Sequence, residues 1–139
     1  MRYAVHVVPD TVGYMATCRD LPEFIAAAET VDATLENAVE ILETTLGIYI
    51  DERRRIPTPS SIQEGEQLVA VPLSTALKAL LSNQLLDQGW RKADLARAMG
   101  VHAPQVDRLL DVNHKSKLAA IERAFDTMHR RVEVEVEVA

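Results

Sequence analysis

The sequence predicts an α+β protein in two parts: a βββαβ unit over residues 1–72, then an all-α unit over residues 73–139 that ends on one further strand. Short β-patterned runs separated by turn formers fill the first 30 residues. The hydrophobic period changes from two to helical at Val31, and from Pro72 onward only helical patterns occur until a Val-Glu alternation closes the chain.

Bulk composition is that of a folded chain. With 47% hydrophobic and 26% charged residues among 139, the sequence supports a packed core and excludes wholesale disorder. The opening MRYAVHVVPD has no long apolar core with a small-residue cleavage site, and no run of about 18 apolar residues occurs anywhere, so a cytoplasmic protein is expected. Cys18 is the single cysteine and has no internal disulfide partner; a buried, inert thiol is expected. The net charge of -6 argues against a purely nucleic-acid-binding protein, but the charge is uneven. Residues 1–71 hold five Lys/Arg against twelve Asp/Glu, whereas residues 88–131 hold nine against five. An acidic part joined to a mildly basic one predicts two partners of opposite charge.

The β-patterned runs are Arg2 to Val8, Tyr14 to Cys18 and Phe24 to Ala28, divided by Pro9-Asp10 with Gly13 and by Asp20 to Pro22. A meander follows from that spacing. From Val31, residues Leu35, Ala38, Val39, Leu42, Leu46 and Tyr49 form one stripe, with Glu36, Glu40 and Glu43 on the opposite, wet side. The helix is expected to end near Arg53-Arg54-Arg55, cations suited to a helix carboxyl end, before the segment Ile56 to Ser61 with its two prolines. A fourth strand is expected over Gln67 to Val71. Beyond Pro72, helices are expected over Ser74 to Gln88, Lys92 to Met99, Ala103 to Asp111 and Lys117 to about Arg130, with Gly89 and Gly100 as carboxyl caps. The alternation Val132, Val134, Val136, Val138 with glutamates between them predicts a half-buried strand. Its unpaired edge predicts pairing with a second copy, or alternatively with the amino-terminal sheet.

The most informative stretch is Lys92 to Asp111, KADLARAMGVHAPQVDRLLD, which fits a helix-turn-helix wherever geometry restricts the residue type. Leu95 and Met99 are core contacts, Ala96 is small where a second helix crosses, Gly100 permits a left-handed turn, and Val101, Val106 and Leu109 seat the second helix. If Val106 points inward, Ala103, Pro104, Gln105, Asp107 and Arg108 face the major groove of DNA. Arg108 is the leading base reader, because its planar fork matches guanine O6 and N7. Gln105 can pair with adenine. Lys92, His114, Lys115 and Lys117 flank the hairpin where phosphates would lie. One such hairpin reads few base pairs, so a homodimer on a palindromic site is expected, with the terminal valine strand fixing the spacing.

Catalysis is not expected. The three amino-terminal strands contain no Asp or Glu, and a two-metal nuclease needs carboxylates converging from rigid strands. His6 stands without a second His or Cys, and no triad, phosphate loop or Cys-x-x-Cys occurs, so neither a cofactor nor a metal is expected.

Taken together, Gly13 to Ala16, Asp20-Leu21-Pro22, Glu29-Thr30-Val31 leading into Glu36-Asn37-Ala38, Arg55 to Ser60, and Val71 to Ser74 before the helix-turn-helix resemble a HicB antitoxin of the DNA-binding type. The resemblance spans nearly the whole chain. It implies a degenerate RNase H-like amino-terminal domain without catalytic acids and a partner of the HicA type, a small basic mRNA-cleaving toxin. One departure is Ala33, where relatives carry a Glu, so the cap at Thr30 lacks its reciprocal partner. The expected toxin contact is the set of acidic turns, Asp10, Asp20, Glu23 and Glu29, and operator DNA is the second expected partner. The alternatives are a stand-alone repressor whose amino-terminal domain senses a small ligand in a pocket under the Val31 to Asp51 helix, and a Mg-dependent nuclease.

Overall fold

The computed structural model describes all residues from Met1 to Ala139. Three strands, β1 (Arg2–Pro9), β2 (Tyr14–Cys18) and β3 (Ile25–Ala28), precede the long helix α1 (Val31–Asp51), and β4 (Glu66–Ala70) completes the expected βββαβ unit. The sheet order is β3-β2-β1-β4, with every neighbouring pair antiparallel. The β1–β2 turn is tight: the Asp10 N–H donates to the Gly13 carbonyl at 2.9 Å, and Gly13 has φ +82. A Cβ there would stand 2.3 Å from the Ala28 carbonyl oxygen of β3, so glycine is required twice over, by conformation and by space.

Strand alternation sends Tyr3, Val5, Ala16, Ala26 and Val69 to one face, where Ala38, Leu42, Leu46 and Tyr49 of α1 cover them. Thr30 caps α1 by accepting from the Ala33 N–H at 3.1 Å, with nothing from residue 33 in return. The helix ends at Asp51, so the three arginines lie past its last turn. Arg53 takes the left-handed conformation (φ 53) that lets Arg53 and Arg54 N–H groups close back on Ile50 and Tyr49. β4 begins one residue earlier than expected, which places Glu66 inside the sheet.

Four helices follow: α2 (Leu73–Gln88), α3 (Lys92–Met99), α4 (Ala103–Leu110) and α5 (Leu118–Thr127). Gly89 and Gly100 cap α2 and α3 with φ +67 and +68. α5 is shorter than expected because His129 turns left-handed (φ 57) and Arg130 donates back to the Phe125 carbonyl. The two architectures share one continuous hydrophobic cluster running from Tyr3 to Met128. The joint is also polar. Asn83 of α2 holds both the N–H and carbonyl of Ile56 at 2.9 Å, Thr75 of α2 donates to Glu43 of α1, Arg53 donates to the Trp90 carbonyl at 3.1 Å, and Arg55 pairs with Asp87. Glu43 therefore belongs to this joint rather than to the wet side of α1.

Val132 to Val138 do not form the expected strand in the single chain, nor do they pair with the sheet, whose edges are β3 and β4. Val132 packs partly against the core, while Val134, Val136 and Val138 are exposed; one long contact joins Arg2 to Glu137 at 3.5 Å. An alternating segment needs a neighbouring strand to take up its backbone groups, and no strand of this chain pairs with it. No helix is long and apolar enough to cross a membrane.

Candidate nucleic-acid and protein interfaces

The α3–α4 pair is built as its sequence requires. Leu95, Ala96 and Met99 of α3 and Val106, Leu109 and Leu110 of α4 are buried, and the Val101 N–H closes on the Ala96 carbonyl at 3.0 Å through the Gly100 turn. His102 caps α4 poorly with its side chain. Gln105 compensates by accepting from the His102 N–H at 3.0 Å, so the expected adenine reader already spends its carbonyl on its own helix.

Burial of one α4 face leaves Ala103, Pro104, Gln105, Asp107 and Arg108 exposed, as expected. The exposed residues split into two groups. Gln105, Arg108, His114, Lys115 and Lys117 line one cleft of about 290 Å³ between α4, α5 and the loop joining them, and Arg123 of α5 joins them there. Lys92 and Asp107 instead pair with each other at 3.0 Å outside that cleft, which reduces the positive charge Lys92 can offer a phosphate. Arg123 carried no sequence signal; it is an off-core position of α5 whose guanidinium donates to the Met99 carbonyl. The resulting surface gathers four permanent cations and one histidine around the exposed end of α4, an arrangement suited to a polyanion.

Lys78 and Ser116 were also missed. The Lys78 ammonium comes from the middle of α2, fully buried, and reaches the carbonyls of Arg108, Asp111 and His114 and the Ser116 hydroxyl at 2.7 to 2.9 Å. Burial pushes its pKa below the ordinary lysine value, with the nearby Asp111 opposing.

In the amino-terminal part the four acidic turn residues differ. Asp20 accepts from the Ser60 N–H and hydroxyl, which pins the proline-containing segment to the β2–β3 turn. Glu23 accepts from the Tyr49 hydroxyl and the Arg54 guanidinium, each at 2.6 Å, and those bonds hold its carboxyl at about 2. Arg54 also lies 4.0 Å above the Tyr49 ring. Asp10 makes only a local turn, accepting from the Thr11 N–H at 2.8 Å, and Glu29 is exposed. Asp10 and Glu29, with Asp32, Glu36 and Glu40 along α1, are thus among the acids directed outward. Glu66 is neutralised on both oxygens by Arg19 at 2.7 and 2.8 Å, and its carboxyl is likewise held at about 2. The acids of this half do not converge on a shared point. His6 is exposed on β1.

A family profile described as a HicB-like antitoxin of bacterial toxin-antitoxin systems matches residues 2–80, more than half of the chain. The chain is 42% identical over 138 residues to the protein named Antitoxin HicB of Pseudomonas fluorescens strain Pf0-1, covering 99% of this chain and 94% of that one. It is 34% identical over 134 residues to Antitoxin HicB 2 of Photorhabdus laumondii, covering 96% and 95% of the two chains. To Antitoxin HicB of Escherichia coli K12 it is 32% identical over 133 residues, covering 95% and 96%. Both the α+β front and the helical back are inside these matches, so the chain belongs to the HicB-like antitoxin family of bacterial toxin-antitoxin systems.

Proposed function

We propose that this protein binds and occludes a HicA-type RNA-cleaving toxin through residues 1–72 and represses its own operon by binding operator DNA through residues 73–139. The observation that carries this reading is the likeness to antitoxins over nearly the whole chain, helical part included. Charge supports the division of labour. Outward acids on α1 and its flanking turns suit a basic, RNA-binding partner, and they act mainly on encounter rate and partner choice while apolar contacts set the lifetime of the complex.

On the DNA side, the α3–turn–α4 pair acts as a helix-turn-helix. Arg108 reads a base, while His114, Lys115 and Lys117 meet phosphates. The cleft that gathers these groups supports the assignment. The front unit is a partial RNase H-like fold without a catalytic set, and its acids are used for structure or for partner contact. Burial of Leu42, Leu46, Phe24 and Tyr3 between α1 and the sheet supports a protein partner over a small ligand held beneath α1.

A homodimer forms through Val132, Val134, Val136 and Val138. In an antiparallel self-pair all valines fall on one face, and the exposed Leu73 and Leu80 of α2, beside Val134, supply apolar surface for that face to cover. The test is co-expression of the tagged chain with the untagged product of the neighbouring gene. A small basic protein that co-purifies and is toxic alone supports the reading; its absence from the purified material contradicts it.

A further inference from the structure

The ammonium of Lys78 is surrounded by four oxygens, none from a carboxylate: three backbone carbonyls and the Ser116 hydroxyl. A charge buried against neutral acceptors is less favourable than an apolar side chain of the same shape. The neighbours of Lys78 on α2, Ala76, Leu77, Ala79 and Leu81, are all buried and apolar. A methionine matches this side chain in size but leaves the enclosed oxygens without the donor they have here. What an ammonium adds is donation in three directions at once, beyond the backbone N–H groups of Asp111 and His114 that already donate to the Arg108 and Asp111 carbonyls at 3.2 and 3.1 Å.

Those groups belong to one stretch of chain. The Arg108 carbonyl lies in the last turn of α4, where carbonyls lack helical partners and a cation is favoured by the helix dipole. The Asp111, His114 and Ser116 oxygens follow in the loop to α5, and the Ser116 hydroxyl donates back to the Arg108 carbonyl at 3.2 Å. The loop therefore folds around a single nitrogen atom. Its outward side carries His114, Lys115 and Lys117 into the cleft shared with Arg108.

We propose that Lys78 is a positioning residue for nucleic-acid contact: by fixing residues 111–117 from inside, it sets His114, Lys115 and Lys117 at phosphate reach beside the base-reading end of α4. This deepens, and rests on, the DNA-binding reading of the back half. Lys78 touches no DNA itself; it acts through the loop.

The test uses the full chain and a duplex of the region upstream of its coding sequence, titrated between 50 and 200 mM salt. In Lys78→Met the slope of log affinity against log salt becomes shallower by about 1 to 2, the signature of lost phosphate contacts. The double substitution Lys115→Ala with Lys117→Ala weakens the native chain but changes Lys78→Met little, because the two lesions act on one contact. Ser116→Ala removes one oxygen of the four and serves if Lys78→Met does not fold; it shows the same trend with a slope change below about 1. An unchanged slope in the variants, or fully additive losses, overturns the role of Lys78 while leaving DNA binding intact. Failure of the native chain to bind at the lowest salt overturns the DNA-binding reading and this inference with it.

Discussion

Gly47 offers a quantitative test of how firmly the front half is joined to the helical half. It lies inside α1, where glycine costs about 1 kcal/mol relative to alanine, so Gly47→Ala on an isolated helix would stabilise by that amount. In the folded chain a Cβ at this position would stand 3.0 Å from Cγ2 of Val112, in the loop after α4. Carbon atoms prefer about 3.5 to 4.0 Å, so one side must yield by roughly half an ångström. The loop resists, since Lys78 holds the carbonyls of Asp111 and His114 on either side of Val112. Overpacking of this kind costs about 1 to 3 kcal/mol. Gly47→Ala is therefore expected to destabilise the chain by about 1 kcal/mol, whereas in a Val112→Ala background it stabilises by about 1, a coupling of about 2 kcal/mol. Urea unfolding followed by the fluorescence of Trp90, the single tryptophan, measures both. A full stabilisation by Gly47→Ala with Val112 in place would refute the close approach of α1 to that loop.

Gly13→Ala is expected to destabilise by about 3 kcal/mol or more in the same assay, because a positive φ and displacement of the Ala28 carbonyl both oppose a side chain. Glu23 and Glu66 are held at about 2 instead of the ordinary 4.5, so the stability they contribute is present above about pH 4.5 and is lost as pH falls toward 2. Glu66→Gln should lower Tm at neutral pH and flatten the acid limb; an equally steep limb would count against the Arg19 pair. Arg108→Ala should weaken binding to the operator by about 1 to 3 kcal/mol while sparing unrelated duplexes, and a uniform loss would make it a phosphate contact. Reversing Asp10 and Glu29 together to lysine should slow association with the toxin, read by stopped flow at low salt, and an unchanged rate removes charge steering from these turns.

Periodicity and punctuation made most of the fold legible. The βββαβ order, the α1 span and the α3–Gly100–α4 hairpin follow from alternation, helical stripes and caps, which are local properties of the chain. What stayed hidden depends on contacts between distant segments. Lys78 is one cation on a helix until the loop after α4 folds around it. Asp20 and Glu23 have the composition of free acidic turns, yet Ser60, Tyr49 and Arg54 claim them from 26 to 40 residues away. Of the arginines after α1, Arg53 and Arg55 serve the joint with Trp90 and Asp87, while Arg54 pairs with Glu23. The Val-Glu alternation states a strand with no partner in its own chain. Within the candidate DNA surface, Gln105, Arg108, His114, Lys115 and Lys117 share one cleft, Arg123 joins them unannounced, and Lys92 with Asp107 stand apart.

The central claim is tested most directly by titrating the purified chain into a fixed amount of the neighbouring gene's small basic product while following cleavage of an RNA substrate. Cleavage falling to background near one chain per toxin molecule is the predicted result. Cleavage that persists at a several-fold excess of the folded chain, or RNA cut by the chain itself when magnesium is added, would contradict it.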